Sequence, residues 1–260
     1  GVADGISHAA LPGVVIAFLL TGTKNTEVLL FGALIAGLVV SVLISLVTRF
    51  TRIKFDSALA VFLSVFFGLG LALLSYAQRQ PNANQAGLNR FIYGQASTFL
   101  ARDVRIVAIA GVLVLVLVFI FWKELKVFTF DPTFAQSLGY SRTKLDIIMN
   151  LLLVASIVIG LQAVGVILMS AMFIAPGVAA RQWTRSLEGM VLLSALFGAS
   201  SGVIGTLISS AYSNLPTGPV IVICASIIAG ISLLFAPRRG LIHNFYLRHK
   251  MRHSLKEDRA

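Results

Sequence analysis

Long apolar runs are the feature that most constrains this sequence. They approach or reach the roughly 20 residues that a helix needs to cross a bilayer. Because backbone groups in lipid must be satisfied within the segment, such runs form helices. The hydrophobic share of 57% and the charged share of 12% exclude an ordinary soluble domain. We predict an all-α, polytopic transmembrane helical bundle of about eight spans, near residues 4–21, 28–48, 57–77, 104–122, 147–165, 167–182, 189–211 and 218–236.

The chain begins inside an apolar segment. It opens with Gly1 rather than methionine, and the first apolar run is under way within a few residues. A cleaved signal peptide would also remove a methionine, but a truncation is more usual beside a polytopic core. We therefore expect an N-terminal helix to be missing from this sequence.

Basic residues divide unevenly between the two faces of the predicted bundle. If the 48–55 loop is cytoplasmic, alternation of the spans places 16 of the 21 lysines and arginines on that side. Cytoplasmic loops of membrane proteins carry such an excess. We therefore predict a membrane domain over 1–236 and a basic cytoplasmic tail over 237–260. The net charge of +11 then reflects orientation in membrane lipid and not nucleic-acid binding.

The longest predicted cytoplasmic loop, 123–145, contains a short helix with clear end signals. Asp131 suits the N-cap, Pro132 the first helical position and Gly139 the C-terminal stop. A helix of about two turns is not stable alone, so its small apolar face needs a partner surface. That surface is either the protein's own inner face or a docking partner.

A carboxylate and an imidazole lie four residues apart in the first apolar segment. On a helix, Asp4 and His8 share one face, and ionisable groups in a membrane segment are costly and usually functional. Oxygen and nitrogen ligands suit Mn, Fe(II) or Zn rather than Cu(I). Two ligands cannot complete a metal shell, but a symmetric dimer would supply four. The alternative, in which Asp4 caps the helix and His8 is a buried, hydrogen-bonded histidine, fits the spacing equally.

No motif for catalysis or nucleotide binding occurs. The sequence has no phosphate-binding Gly-x-x-x-x-Gly-Lys-[Ser/Thr] loop, no nucleophile elbow and no His-Glu-x-x-His helix. We therefore expect this chain to be no enzyme and to hold no permanently bound cofactor. Energy for any transport would come from another subunit or from an ion gradient.

Three motifs occur in order along the chain. They are Asp4-x-x-Ser7-His8-Ala9-x-Leu11-Pro12-Gly13, Phe130-Asp131-Pro132 with Ala135 and Gly139, and Gln162-Ala163-Val164-Gly165-Val166-Ile167-Leu168 leading to Pro176. Together they resemble the permease subunit of bacterial manganese/zinc/iron ABC importers (ABC-3 type). The likeness runs nearly end to end.

The resemblance implies a complex in the bacterial plasma (inner) membrane. Its parts would be two permease chains, identical or different, two cytoplasmic ABC ATPase subunits that bind ATP, and an extracytoplasmic metal-binding protein. Asp4 and His8 would contribute to a cation site in the translocation path. A coupling helix at 131–139 would dock on the ATPase through Phe130, Asp131, Pro132, Ala135 and Gly139. The cargo would be a divalent transition metal, manganese first, with zinc or iron close behind.

Three alternatives remain open on the sequence. A siderophore or cobalamin ABC permease would need a wide, mostly uncharged cavity instead of an acid and histidine pair. A gradient-driven secondary metal transporter would commonly show paired repeats with broken midplane helices. A membrane scaffold without transport activity would tolerate replacement of Asp4 and His8.

Overall fold

The described residues are helical in all ten of their regular elements. A computed structural model describes residues 2–23, 25–79, 100–212 and 215–236, without the side chains of 2–4, 162, 163 and 167. The predicted all-α class is confirmed, while the predicted tail at 237–260 lies outside the described residues. The helices are α1 (Val2–Thr21), α2 (Thr26–Phe50), α3 (Phe55–Gln78), α4 (Ala101–Ile120), α5 (Trp122–Phe130), α6 (Pro132–Ser137), α7 (Arg142–Val164), α8 (Val166–Trp183), α9 (Leu187–Ala211) and α10 (Thr217–Phe235).

Each predicted span corresponds to one helix. Within the described ranges, six helices are long and apolar enough to cross a bilayer, namely α2, α3, α4, α7, α9 and α10. Gly5–Thr21 of α1 is a shorter apolar helix. The crossings predicted at 147–165 and 167–182 are separated at Gly165, whose φ of +87° favours glycine.

The chain divides into two compact units, Gly1–Ser170 and Ala171–Ala260. In the first unit, α1 packs against α2, α3 and α7. Every residue of α1 from Gly5 to Val15 is buried except His8. A helix that is covered around its whole circumference lies in a core and not at a lipid-facing surface. Helix α1 is therefore the central helix of this unit.

Glycines allow the neighbouring helices to approach α1. A Cβ atom on Gly13 of α1 would overlap the carbonyl oxygen of Gly32 in α2, and a Cβ on Gly32 would overlap the carbonyl oxygen of Gly13. On the α3 side, a Cβ on Gly70 would lie 3.0 Å from side-chain atoms of Leu11 and Pro12. Small residues at such crossings let helix backbones meet closely.

Helices α5, α6 and α7 are joined by a small apolar cluster. Phe128 of α5, Ala135 of α6 and Leu145 of α7 are buried against one another, with Val127 and Met149 packed at the edge. This contact supplies the partner surface that the short helix α6 requires. One side of α6 is therefore committed to the protein's own core.

The second unit is organised by the pairing of α9 and α10. A Cβ on Gly205 of α9 would lie 2.6 Å from the Cα atom of Ile221 in α10, so this crossing is also a backbone contact. The buried Ser209 hydroxyl donates to the carbonyl of Leu215 at 2.7 Å and lies 3.0 Å from the hydroxyl of Thr217. These bonds satisfy polar groups where the chain enters α10.

Candidate functional site

His8 is the one residue of the buried Gly5–Val15 stretch whose side chain is partly exposed. Its imidazole ring stands edge-on to the ring of Phe67 in α3, with 4.5 Å between the ring centroids and 76° between the planes. The neighbouring Ser7 and Ala9 are both fully buried. The first helix thus holds this imidazole on a well-packed backbone, as a binding site would require.

Asp4 lies one turn before His8 in the same helix. The helical backbone from Val2 onward places positions 4 and 8 on one face, as the spacing predicts. The side chain of Asp4 lies outside the described part of the structure. Among the described side chains, no three His, Cys, Asp or Glu residues come close enough together to hold a metal ion. The prediction of a metal pair stays a prediction.

The start of α6 is held by the side chain of Asp131. Its Oδ1 atom accepts hydrogen bonds from the backbone N–H of Thr133 at 3.0 Å, from that of Phe134 at 2.9 Å and from the Thr133 hydroxyl at 2.6 Å. Hydrogen bonds from the Thr133 side chain and the Phe134 backbone lower the pKa of this carboxyl from its ordinary value. The cap is therefore charged at neutral pH, and the predicted N-cap with Pro132 at the first position is confirmed.

The end of α6 is closed by a Schellman motif. Gly139, with φ of +89°, donates its N–H to the carbonyl of Gln136 at 2.9 Å. Tyr140 donates to the carbonyl of Ala135 at 3.1 Å. This double closure needs a residue in the left-handed region, which glycine adopts without strain. Both ends of this helix of less than two turns are fixed by the residues that the sequence singled out.

The residues predicted for ATPase docking divide by exposure. Ala135 is 1% exposed and belongs to the core cluster, whereas Phe130 is 69% exposed. Phe134 and Leu138, which the resemblance motif does not include, are 52% and 54% exposed. Helical spacing gives the signal that identifies them, because positions 134 and 138 are four residues apart and lie on one face. Phe134 in α6 and Leu138 at its C-cap therefore form an apolar patch on the exposed side of this helix.

One family model and several known proteins match this chain in sequence. The family model described as "ABC 3 transport family" matches residues 2–236. The zinc transport system membrane protein TroC of Treponema pallidum is 49% identical over 95% of this chain and 83% of that protein. The manganese transport system membrane protein MntC of Bacillus subtilis is 42% identical over 92% of this chain, which spans only 55% of that protein.

A solved structure also matches. It is that of PsaBC from Streptococcus pneumoniae in complex with Fab, with a TM-score of 0.80 and 31% identity. The match covers 95% of this chain and 84% of the solved chain. The sequence and the fold of this chain therefore both match known proteins over nearly its whole length.

Proposed function

Because the chain belongs to the ABC 3 transport family, we propose that it is the membrane-spanning permease of an ATP-driven importer of divalent metal ions. Relatives named for zinc and for manganese transport support this cargo class. The observation that carries the proposal within the molecule is the partly exposed His8 in the otherwise buried Gly5–Val15 stretch of α1. An ionisable side chain inside a membrane protein is costly and is usually kept for a function, and a place in a cation path would be such a function.

The proposed cation site is shared between chains. Asp4 and His8 supply an oxygen and a nitrogen, and the remaining ligands come from a second permease chain across a symmetry axis. An incomplete shell suits transport, because a permeating ion must also leave its site. Manganese is the first expected cargo, with zinc or iron close behind, since the same ligand set serves all three ions.

The proposed partners are the other components of an ATP-driven importer. Cytoplasmic ATPase subunits bind and hydrolyse ATP, and they dock on the outer face of α6. An extracytoplasmic metal-binding protein delivers the ion on the opposite side. In this arrangement the C-terminus is cytoplasmic and the membrane is the bacterial plasma (inner) membrane. The exposed Phe134 and Leu138 support the docking assignment, because an apolar face at an aqueous surface is typical of an interaction site.

Competitive uptake by the reconstituted full-length complex tests the cargo. We expect ATP-dependent accumulation of labelled Mn²⁺ in proteoliposomes, inhibited by unlabelled Zn²⁺ or Fe²⁺ because all three ions suit the same ligands. Uptake of chelated iron or cobalamin without uptake of the free ions would contradict the proposal. Accumulation that follows an imposed ion gradient in the absence of ATP would favour a secondary transporter instead.

Substituting Phe134 tests the docking face of α6. In the full-length complex, Phe134→Asp is expected to lower ATP-driven uptake about tenfold or more, because it places a charge in the desolvated centre of the proposed interface. The measurement is ATP hydrolysis and metal uptake by the same proteoliposomes. Hydrolysis should persist without matching uptake, or the ATPase should dissociate.

The matched control for this substitution is Phe50→Asp. Phe50 is 76% exposed at the end of α2, on the face that the basic residues predict to be cytoplasmic. The Phe50→Asp substitution makes the same chemical change away from α6, so ATP hydrolysis should remain coupled to metal uptake. Equal coupling in the Phe134 variant and the wild type would contradict the docking assignment.

A further inference from the structure

An open groove lies where α2 ends and α3 begins. It has a volume of about 620 Å³ and is lined by Val47, Arg52, Ile53, Lys54, Ser57, Ala58, Val61 and Phe62. Its floor is firm, because Ala58 is buried in a cluster with Val40 and Ile44. The floor of the groove is therefore formed by packed helices, while the connection between them supplies Arg52, Ile53 and Lys54.

The groove has one charged end and one apolar end. Arg52 and Lys54 stand in the short connection between two helices that are long enough to cross the bilayer, so they lie at headgroup level. Within the described residues, neither cation lies within 4.0 Å of a carboxylate. The opposite end is formed by Val47, Val61 and Phe62 along the spans. Val61 is 59% exposed, and Val65, one turn deeper in α3, is 58% exposed.

This distribution of charge and apolar surface matches one class of ligand. A phospholipid carries its phosphate at the interface and its acyl chains along the membrane-spanning helices. Basic pockets beside transmembrane helices bind anionic lipid headgroups, and each nearby Lys or Arg adds to the attraction. A soluble anion would use the cations but not the apolar end, and an apolar protein segment would leave the cations without a counter-charge.

We propose that this groove binds an anionic phospholipid, with its phosphate held by Arg52 and Lys54 and one acyl chain lying along Val61. The inference requires only that α2 and α3 cross a bilayer. It therefore stands separately from the proposed metal path and its ligands.

The test compares lipid retention by purified full-length complexes using native mass spectrometry. The probes are phosphatidylglycerol and phosphatidylcholine with identical acyl chains. We expect Arg52→Gln/Lys54→Gln to weaken phosphatidylglycerol binding about thirtyfold, since two cations near the headgroup are lost, and to leave phosphatidylcholine unchanged. The exchanged pair Arg52→Lys/Lys54→Arg should bind as the wild type does, which excludes misfolding as the cause. Equal phosphatidylglycerol retention in the glutamine variant and the wild type would overturn the proposal.

Further measurements identify the molecule that is bound in the groove. Arg181→Gln/Arg185→Gln removes the same charge outside the groove and should change phosphatidylglycerol binding by less than about twofold. Glycerol 3-phosphate at millimolar concentration should not displace the lipid, because it lacks the acyl chains, and displacement would indicate a site for soluble phosphate instead. A photoreactive side chain at position 61 should label phosphatidylglycerol, whereas labelling of a protein subunit in its place would overturn the lipid assignment.

Discussion

Metal uptake is expected to be abolished by His8→Ala or Asp4→Asn in the full-length permease, while the complex still assembles. Each substitution removes one ligand of a site that holds the ion with few protein groups. Loss even of an outer-shell partner of a metal ligand costs about 10-fold to 100-fold in metal affinity, so loss of a ligand should cost at least as much. The measurement is ATP-dependent uptake in proteoliposomes, with assembly followed by co-purification of the ATPase.

Phe67→Leu is the control that separates binding from packing. It removes the aromatic ring that stands edge-on to His8 and keeps both proposed ligands. If His8 only packs against its neighbours, Phe67→Leu and His8→Ala should have similar, modest effects on uptake. If His8 binds the ion, only His8→Ala should abolish uptake. Normal uptake in both ligand variants would exclude the proposed site.

A valine side chain at the crossing of α1 and α2 is expected to prevent the first unit from folding. In Gly32→Val, the new Cβ meets the carbonyl oxygen of Gly13 and, at 2.6 Å, the Cβ of Ala17. Two backbones would have to separate, and overpacking of that kind costs about 3 kcal/mol or more. We expect a large fall in folded yield and in the melting temperature of the detergent-purified protein.

Gly68→Val supplies the matched control for the crossing. It makes the same change within a membrane helix, but a Cβ on Gly68 has no atom within 4 Å. Its effect on the free energy of unfolding should stay within about 0.5 kcal/mol, as for surface substitutions generally. A similar loss of folded protein in both variants would show that helix propensity, and not the close crossing, is responsible.

Local signals in the sequence were sufficient for the features that depend on neighbouring residues. The ends of α6 were predicted correctly because Asp131 and Gly139 act on backbone groups within a few residues of themselves. The break between α7 and α8, which falls at Gly165, was predicted differently, from the distribution of basic residues between the two sides of the membrane. The apolar runs located the membrane helices because lipid requires each helix to satisfy its own backbone.

Features that depend on tertiary contacts could not be predicted in the same way. Gly68 and Gly70 are two residues apart in α3, yet only Gly70 faces α1. Sequence places them about 200° apart around the helix but does not say which side meets a neighbour. For the same reason, the sequence could not separate Ala135, which lies in the core, from the exposed Phe134. The proposed cation site needs ligands from a second permease chain in addition to Asp4 and His8, and a single sequence does not show how two chains pack together.

Helix α7 connects the two regions discussed above within a single rigid element. Near its start, Leu145 is packed against Ala135 of α6. Further along, Val154 and Ile157 share a core with Ile6 and Leu11 of the helix that carries His8. Helix α7 therefore contacts both α6 and α1, and in the proposed importer a displacement of α6 by the ATPase would reach the packing surface of α1 through α7. In the proposed importer, ATP hydrolysis in a separate subunit would in this way change the position of His8 inside the membrane.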